Sequence, residues 1–170
     1  MELEESAIIS EIKAIFESEN ESAIHDAIAY IHENGSLKTL PLLFDLLVAT
    51  PSDNIKNDIY NCLADTKDKN ATSIFIEALH DSRYVNEKAR LLSVMWQSNL
   101  DFSKHTADFI QLLLMENYET ALEAYTIIEI CANILTEDEK AKYKKAISEA
   151  LANEKSEKSA LLEATLEVLQ

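Results

Sequence analysis

Glycine occurs once in this 170-residue chain, at Gly35, and proline only twice. Average usage would supply about 12 glycines and about 8 prolines. Glycine provides positive φ angles and close backbone approach, so its scarcity removes whole classes of architecture and chemistry. A G-x-G-x-x-G dinucleotide loop, a Walker-type phosphate cradle and a G-x-S-x-G nucleophile elbow all require glycines this chain lacks. Hairpin-rich β folds, which depend on Asn-Gly and Gly-X turns, are disfavoured for the same reason. A helical fold is what remains.

Apolar residues recur at three- and four-residue spacing along nearly the whole chain, interrupted by short polar clusters. The pattern predicts helices over 5–17, 20–33, 38–49, 53–66, 70–80, 84–99, 104–115, 118–135, 138–152 and 156–169. Connections this short join neighbours as antiparallel helix pairs. Ser18 with Glu21 and Thr136 with Glu139 fit capping boxes. Asp53 and Ser82 read as N-caps. Pro41 fits a first helical turn, and Gly35 the end of the second helix. Second helices of successive pairs begin near 20, 53, 84, 118 and 156, a recurrence in the range of α-solenoid repeats.

The segments LPLLFDLLVATPSDNIKNDIYNCLADT (40–66) and TSIFIEALHDSRYVNEKARLLSVMWQS (72–98) resemble the HEAT repeat. Leu40, Pro41, Leu43 and Leu47 match its first helix, Asp81 its turn aspartate, and Ile55 and Val85 the entry to its second helix. Lys56 and Asn86 stand where the pattern has arginine, and Glu116 replaces the aspartate in the next unit. The Arg–Asp ladder that links HEAT units is thereby weakened. The resemblance is clearest over 38–135. It implies an all-α, right-handed solenoid of about five antiparallel helix pairs, with residues 1–170 forming one domain. It also implies a scaffold whose second helices line a concave binding face.

Taking Ile24, Ile28 and Ile31, then Ile55, Ile59 and Cys62, then Val85, Ala89, Leu92 and Trp96 as buried leaves a polar strip opposite. Asp26 and Ala29 begin it, and its contact candidates are Asn57, Tyr60, Glu87, Arg90, Glu123 and Thr126. An ordinary solvated helix face has the same appearance.

Charge is distributed unevenly. The net charge of −16 comprises −7 over 1–32, −2 over 33–104, −8 over 105–139 and +1 over 140–170. The third block holds no Lys or Arg, and adds Glu119 to the contact candidates. Such a block steers basic partners, although solubility and helix capping explain part of it. Phosphate backbones and anionic membranes are repelled. Lys140, Lys142, Lys144 and Lys145 form the only basic run, which balances the acids before it.

Chemistry finds little foothold. His25 and His32 are seven apart, about 10.5 Å along a helix axis, too far to share an ion. His80 suits a helix C-terminus, and no H-x-x-x-H or C-x-x-C spacing occurs. Cys62 and Cys131 fall on apolar faces without bases to stabilise a thiolate. Trp96 reads as core. The N-terminus is acidic where a signal peptide needs bases, and no segment has spanning length.

The expectation is a cytoplasmic, non-catalytic scaffold or adaptor. It needs no cofactor or metal, and its partner is a protein, a basic one by electrostatics. It binds neither nucleic acid nor membrane. The alternative is a HEAT-like solenoid enzyme acting on nucleic acid or a small cofactor, resembling a DNA glycosylase. The oligomeric state stays open, since Leu161, Leu162, Leu166 and Leu169 give the last helix an apolar face that self-association could cover.

Overall fold

The computed structural model describes residues 2–18, 20–153 and 156–170. Among the described residues the fold is all-helical, with ten α-helices, two 3-10 turns and no strand. The helices are α1 (Glu2–Phe16), α2 (Glu21–Asn34), α3 (Leu40–Ala49), α4 (Asp53–Ala64) and α5 (Ala71–His80). They continue as α6 (Lys88–Gln97), α7 (Thr106–Met115), α8 (Tyr118–Cys131), α9 (Glu137–Leu151) and α10 (Lys158–Val168). Every helix expected from the periodicity is present. The largest boundary differences are at α6, which begins four residues later than expected, and α8, which ends four residues earlier.

The chain divides into two compact units, Met1–Val85 and Asn86–Gln170. In the first, α2 lies against α1 and α4, and α3 against α4 and α5. Its core contains Leu43, Leu47, Ile55, Ile59, Leu63 and Phe75, all almost fully buried. Phe44 meets Phe75 and Tyr84 edge-on at centroid distances of 5.6 and 5.7 Å, a favourable approach for aromatic quadrupoles. In the second unit, α8 lies against α6, α7 and α10, while α7 and α10 each contact α9. Leu91, Leu92, Met95, Phe109, Leu113 and Ile127 fill that core. Leu161, Leu162 and Leu169 are buried as well, so most of the apolar face expected to be open on α10 is covered within its own unit.

Three side-chain bridges in the first unit share one spacing. Lys38 Nζ donates to Glu5 Oε2 at 2.6 Å, His32 Nε2 meets Asp65 Oδ2 at 2.9 Å, and His25 Nδ1 meets Asp58 Oδ2. Each joins residues 33 apart. The two histidine pairs bridge α2 to α4 two helical turns apart. Arg83 donates to Asp81 in its own turn and to Asp45 of α3. The side-chain and backbone hydrogen bonds that Asp81 accepts from Arg83 hold its carboxyl below the ordinary range. Cross-helix Asp pairing is therefore present, carried by His25, His32 and Arg83.

Several expected caps move. Asn20, not Ser18, caps α2 by accepting from the Ala23 N–H at 3.2 Å, because Ser18 is occupied at the end of α1 as a donor to Ile15 O. Ser52 precedes α4, leaving Asp53 as a first-turn acid. Asp81, not Ser82, accepts from the Arg83 N–H. Asn20 and Asp81 take the role from the position just before the first ordered turn, where the backbone leaves helical geometry, whereas Ser52 holds that position without a side-chain cap bond. The Thr136–Glu139 box forms in both directions, and Pro41 sits in the first turn of α3. Gly35 does end α2, its N–H donating to Ile31 O at 2.7 Å, but with φ −65° and ψ 156° its backbone is extended.

Candidate interaction surface

The second unit presents an unusual helix face on α8. Thr120, Ala121, Ala124, Ile127, Ile128 and Cys131 turn inward at three- and four-residue spacing. The opposite side should then be polar, yet Tyr118, Leu122 and Ile130 are exposed on it, Ile130 to 56%. Glu119, Glu123, Thr126 and Glu129 share this side, so the outward surface alternates apolar groups and carboxylates. No Lys or Arg occurs between 105 and 139 to neutralise them, and among the described residues none of the three glutamates is in an ion pair. Tyr125 donates to Glu129 at 3.3 Å, and its phenol is raised by burial first and then by the Glu129 carboxylate.

The adjacent helix α6 contributes Trp96. The sequence places this residue in the core, but it is 36% exposed, and its Nε1–H donates to Glu123 Oε2 at 2.8 Å. Leu91, Leu92, Val94 and Met95 form the inward arc of α6, and at about 100° per residue position 96 falls at the margin of that arc, where it meets α8. Tyr84, in the 3-10 turn Ser82–Tyr84, is buried and Val85 is exposed.

Not all expected contact residues fall on an open surface. Glu119 is exposed, and Glu123 and Thr126 are half-buried on the same face of α8. Arg90 is exposed on α6, while Glu87 is half-buried just before that helix begins. In the first unit Asn57 is exposed, but Tyr60 is only 5% exposed and lies in the core. The inward arc of α4, with Ile55, Ile59, Cys62 and Leu63, is broad enough to take in position 60 at its margin. Tyr60 is thus removed from the proposed strip. The sequence reading missed Tyr118, Leu122 and Ile130. Their signal is visible in α8 itself, where apolar residues occur all round the helix instead of on one side.

Elsewhere in the first unit, a groove of about 220 Å³ between α2 and α4 is lined by His25, Ala29, His32, Asp58, Asn61 and Cys62 among others. Its histidines are engaged with Asp58 and Asp65. Burial pushes the Cys62 thiol up to about 11, with the Asp65 charge adding to the effect, so it is protonated near neutral pH. Cys131 is raised by burial too, although a hydrogen bond with Thr106 works the other way. Both thiols are free and buried. Among the described residues no group of three His, Cys, Asp or Glu side chains could hold a metal ion. Among the described residues, no helix is long and apolar enough to cross a membrane. No family model, no curated protein and no solved structure matches this chain.

Proposed function

We propose that this chain is a non-catalytic protein-binding module of HEAT-like type, its ten helices forming five pairs of a right-handed solenoid. Two observations support the repeat. Three bridges join residues 33 apart, and alternate helices pack on one another, α2 on α4 in the first unit and α6 on α8 on α10 in the second. The observation that carries the binding role is the outward face of α8. Large apolar side chains held in water on a regular helix cost free energy that a partner would recover by covering them. The free, buried cysteines favour a cytoplasmic setting. A nucleic-acid enzyme gains nothing from this face, whose carboxylates repel phosphate.

The test compares what the wild-type chain and a Trp96→Ala/Leu122→Asp variant retain from the native source, after circular dichroism has shown equal helicity. Proteins held by the wild type and lost by the variant are the expected result. Identical retention by both would overturn a binding role for this face.

A further inference from the structure

Resting on that reading, we infer that the α8 face with Trp96 receives a cationic amphipathic helix supplied by another protein. Shape selects a helix. Tyr118, Leu122 and Glu129, which are exposed, and the half-buried Thr126 between them follow three- and four-residue spacing, with Glu119, Glu123 and Ile130 beside them. A partner carrying apolar anchors at i, i+3, i+4 and i+7 would meet them at the same pitch. The 14 residues of α8 span about 21 Å, the length of a partner segment of similar size.

Charge selects a cation. Glu119, Glu123 and Glu129 have no ion pair among the described residues, and the surrounding 105–139 block supplies no base of its own. Trp96 adds a more specific feature. The bond to Glu123 sets a carboxylate at the edge of the indole, leaving a partly exposed ring beside it. A Lys or Arg of the partner placed there would meet the carboxylate and the negative face of the ring together. A second copy of this chain is a poor occupant, because two molecules of net charge −16 repel each other.

Trp96 is the only tryptophan, so its emission reports occupancy directly. The probe is a capped peptide of about 14 residues, with leucines at helical spacing and lysines elsewhere, matched in length to α8. Comparison peptides are the same composition with strictly alternating leucines, the same leucine pattern with glutamate for lysine, and a lysine homopolymer. The lysine–leucine helix is expected to bind tightest and to shift Trp96 emission to the blue.

Two charge variants of the full chain separate site from background. Glu119→Gln/Glu123→Gln/Glu129→Gln should weaken binding about tenfold at low salt, since it removes the carboxylates opposite the lysines. Glu11→Gln/Glu17→Gln/Glu33→Gln removes as much charge from exposed positions of the first unit and should change affinity less than about twofold. Equal losses in both variants, or equal affinity for the homopolymer, would reduce the effect to diffuse attraction and overturn the inference. Tighter binding of the glutamate peptide would overturn the cationic partner while leaving α8 a docking face. Failure of all four peptides would overturn the inference, and the retention experiment would decide the broader role separately.

Discussion

Gly35 shows how a single residue can be required for a reason other than a left-handed backbone. Its dihedral angles are open to any amino acid, and the general gain from replacing such a glycine with alanine is about 0.4–1 kcal/mol. Space argues the other way. A Cβ at this position would lie 2.4 Å from Ile31 O and 2.9 Å from both Ile31 Cγ2 and Thr39 Oγ1. The closest of these is a backbone carbonyl inside α2, which cannot swing aside as a side chain can. Gly35→Ala is therefore expected to destabilise the protein by about 1–3 kcal/mol, the range for overpacking a rigid site. Urea unfolding checks it, and a stabilised variant would refute the steric account. The one described residue with positive φ is Asn99, at 58°. Asparagine tolerates that region better than most side chains, so the chain makes its left-handed step without spending a second glycine. The position of Gly35 at a helix end was legible from its neighbours. Its reason was not, because the crowding comes from where Ile31 O and Thr39 finally sit.

At the scale of elements, two kinds of polar link join the helices, and they should differ in strength. The His25–Asp58 and His32–Asp65 pairs connect α2 to α4 on a solvated face. Exposed pairs of this kind contribute about 0–1 kcal/mol, because water screens the charges and two side chains lose freedom. In the second unit the turn after α7 is held from two sides. Lys88, at the start of α6, pairs with the Glu116 side chain at 2.5 Å. Lys158, at the start of α10, donates to Leu114 O at 3.0 Å and Glu116 O at 2.9 Å. Those carbonyls end α7 without helical partners, and a half-buried ammonium satisfies two of them together. Lys158→Met should accordingly cost about 1–2 kcal/mol, by loss of charge-assisted hydrogen bonds. Asp58→Asn or Asp65→Asn should each cost less than about 1 kcal/mol. Chemical denaturation of the three variants tests the ordering, and its reversal would show that the histidine bridges outweigh the capped turn. The helices themselves were legible from apolar spacing. The start of α6 was not, since nothing local in Val85-Asn86-Glu87 marks the break between the 3-10 turn at Ser82–Tyr84 and the helix at Lys88, and neither was the arc of α6 that turns inward, which leaves Trp96 at its margin.

For the whole molecule, charge is the dominant collective property. A chain with 31 acids and 15 bases pushes against itself when folded, and added salt shortens the range of that repulsion. The midpoint of thermal unfolding should therefore rise by a few degrees between about 10 and 300 mM sodium chloride, as screening contracts the Debye length from about 30 Å to under 8 Å. Calorimetry at constant pH measures this directly. A falling midpoint would mean that favourable pairs such as Lys88–Glu116 outweigh the net repulsion. The amino-acid string by itself determined the all-helical class, the number of helices, most of their limits and the acidic block. Each depends on periodicity or composition, which are local or additive quantities. The tertiary structure alone decided which 33-residue offsets became side-chain bridges, that Tyr60 turns inward, and that Trp96 lies at the edge of α6 and bonds Glu123. It also decided that Tyr118, Leu122 and Ile130 face outward with the carboxylates of α8. Apolar spacing identifies a helix as amphipathic or not, but a helix with apolar groups all round gives no preferred face. Only the neighbours that pack against it, α6, α7 and α10, select the side that is buried and so expose the rest.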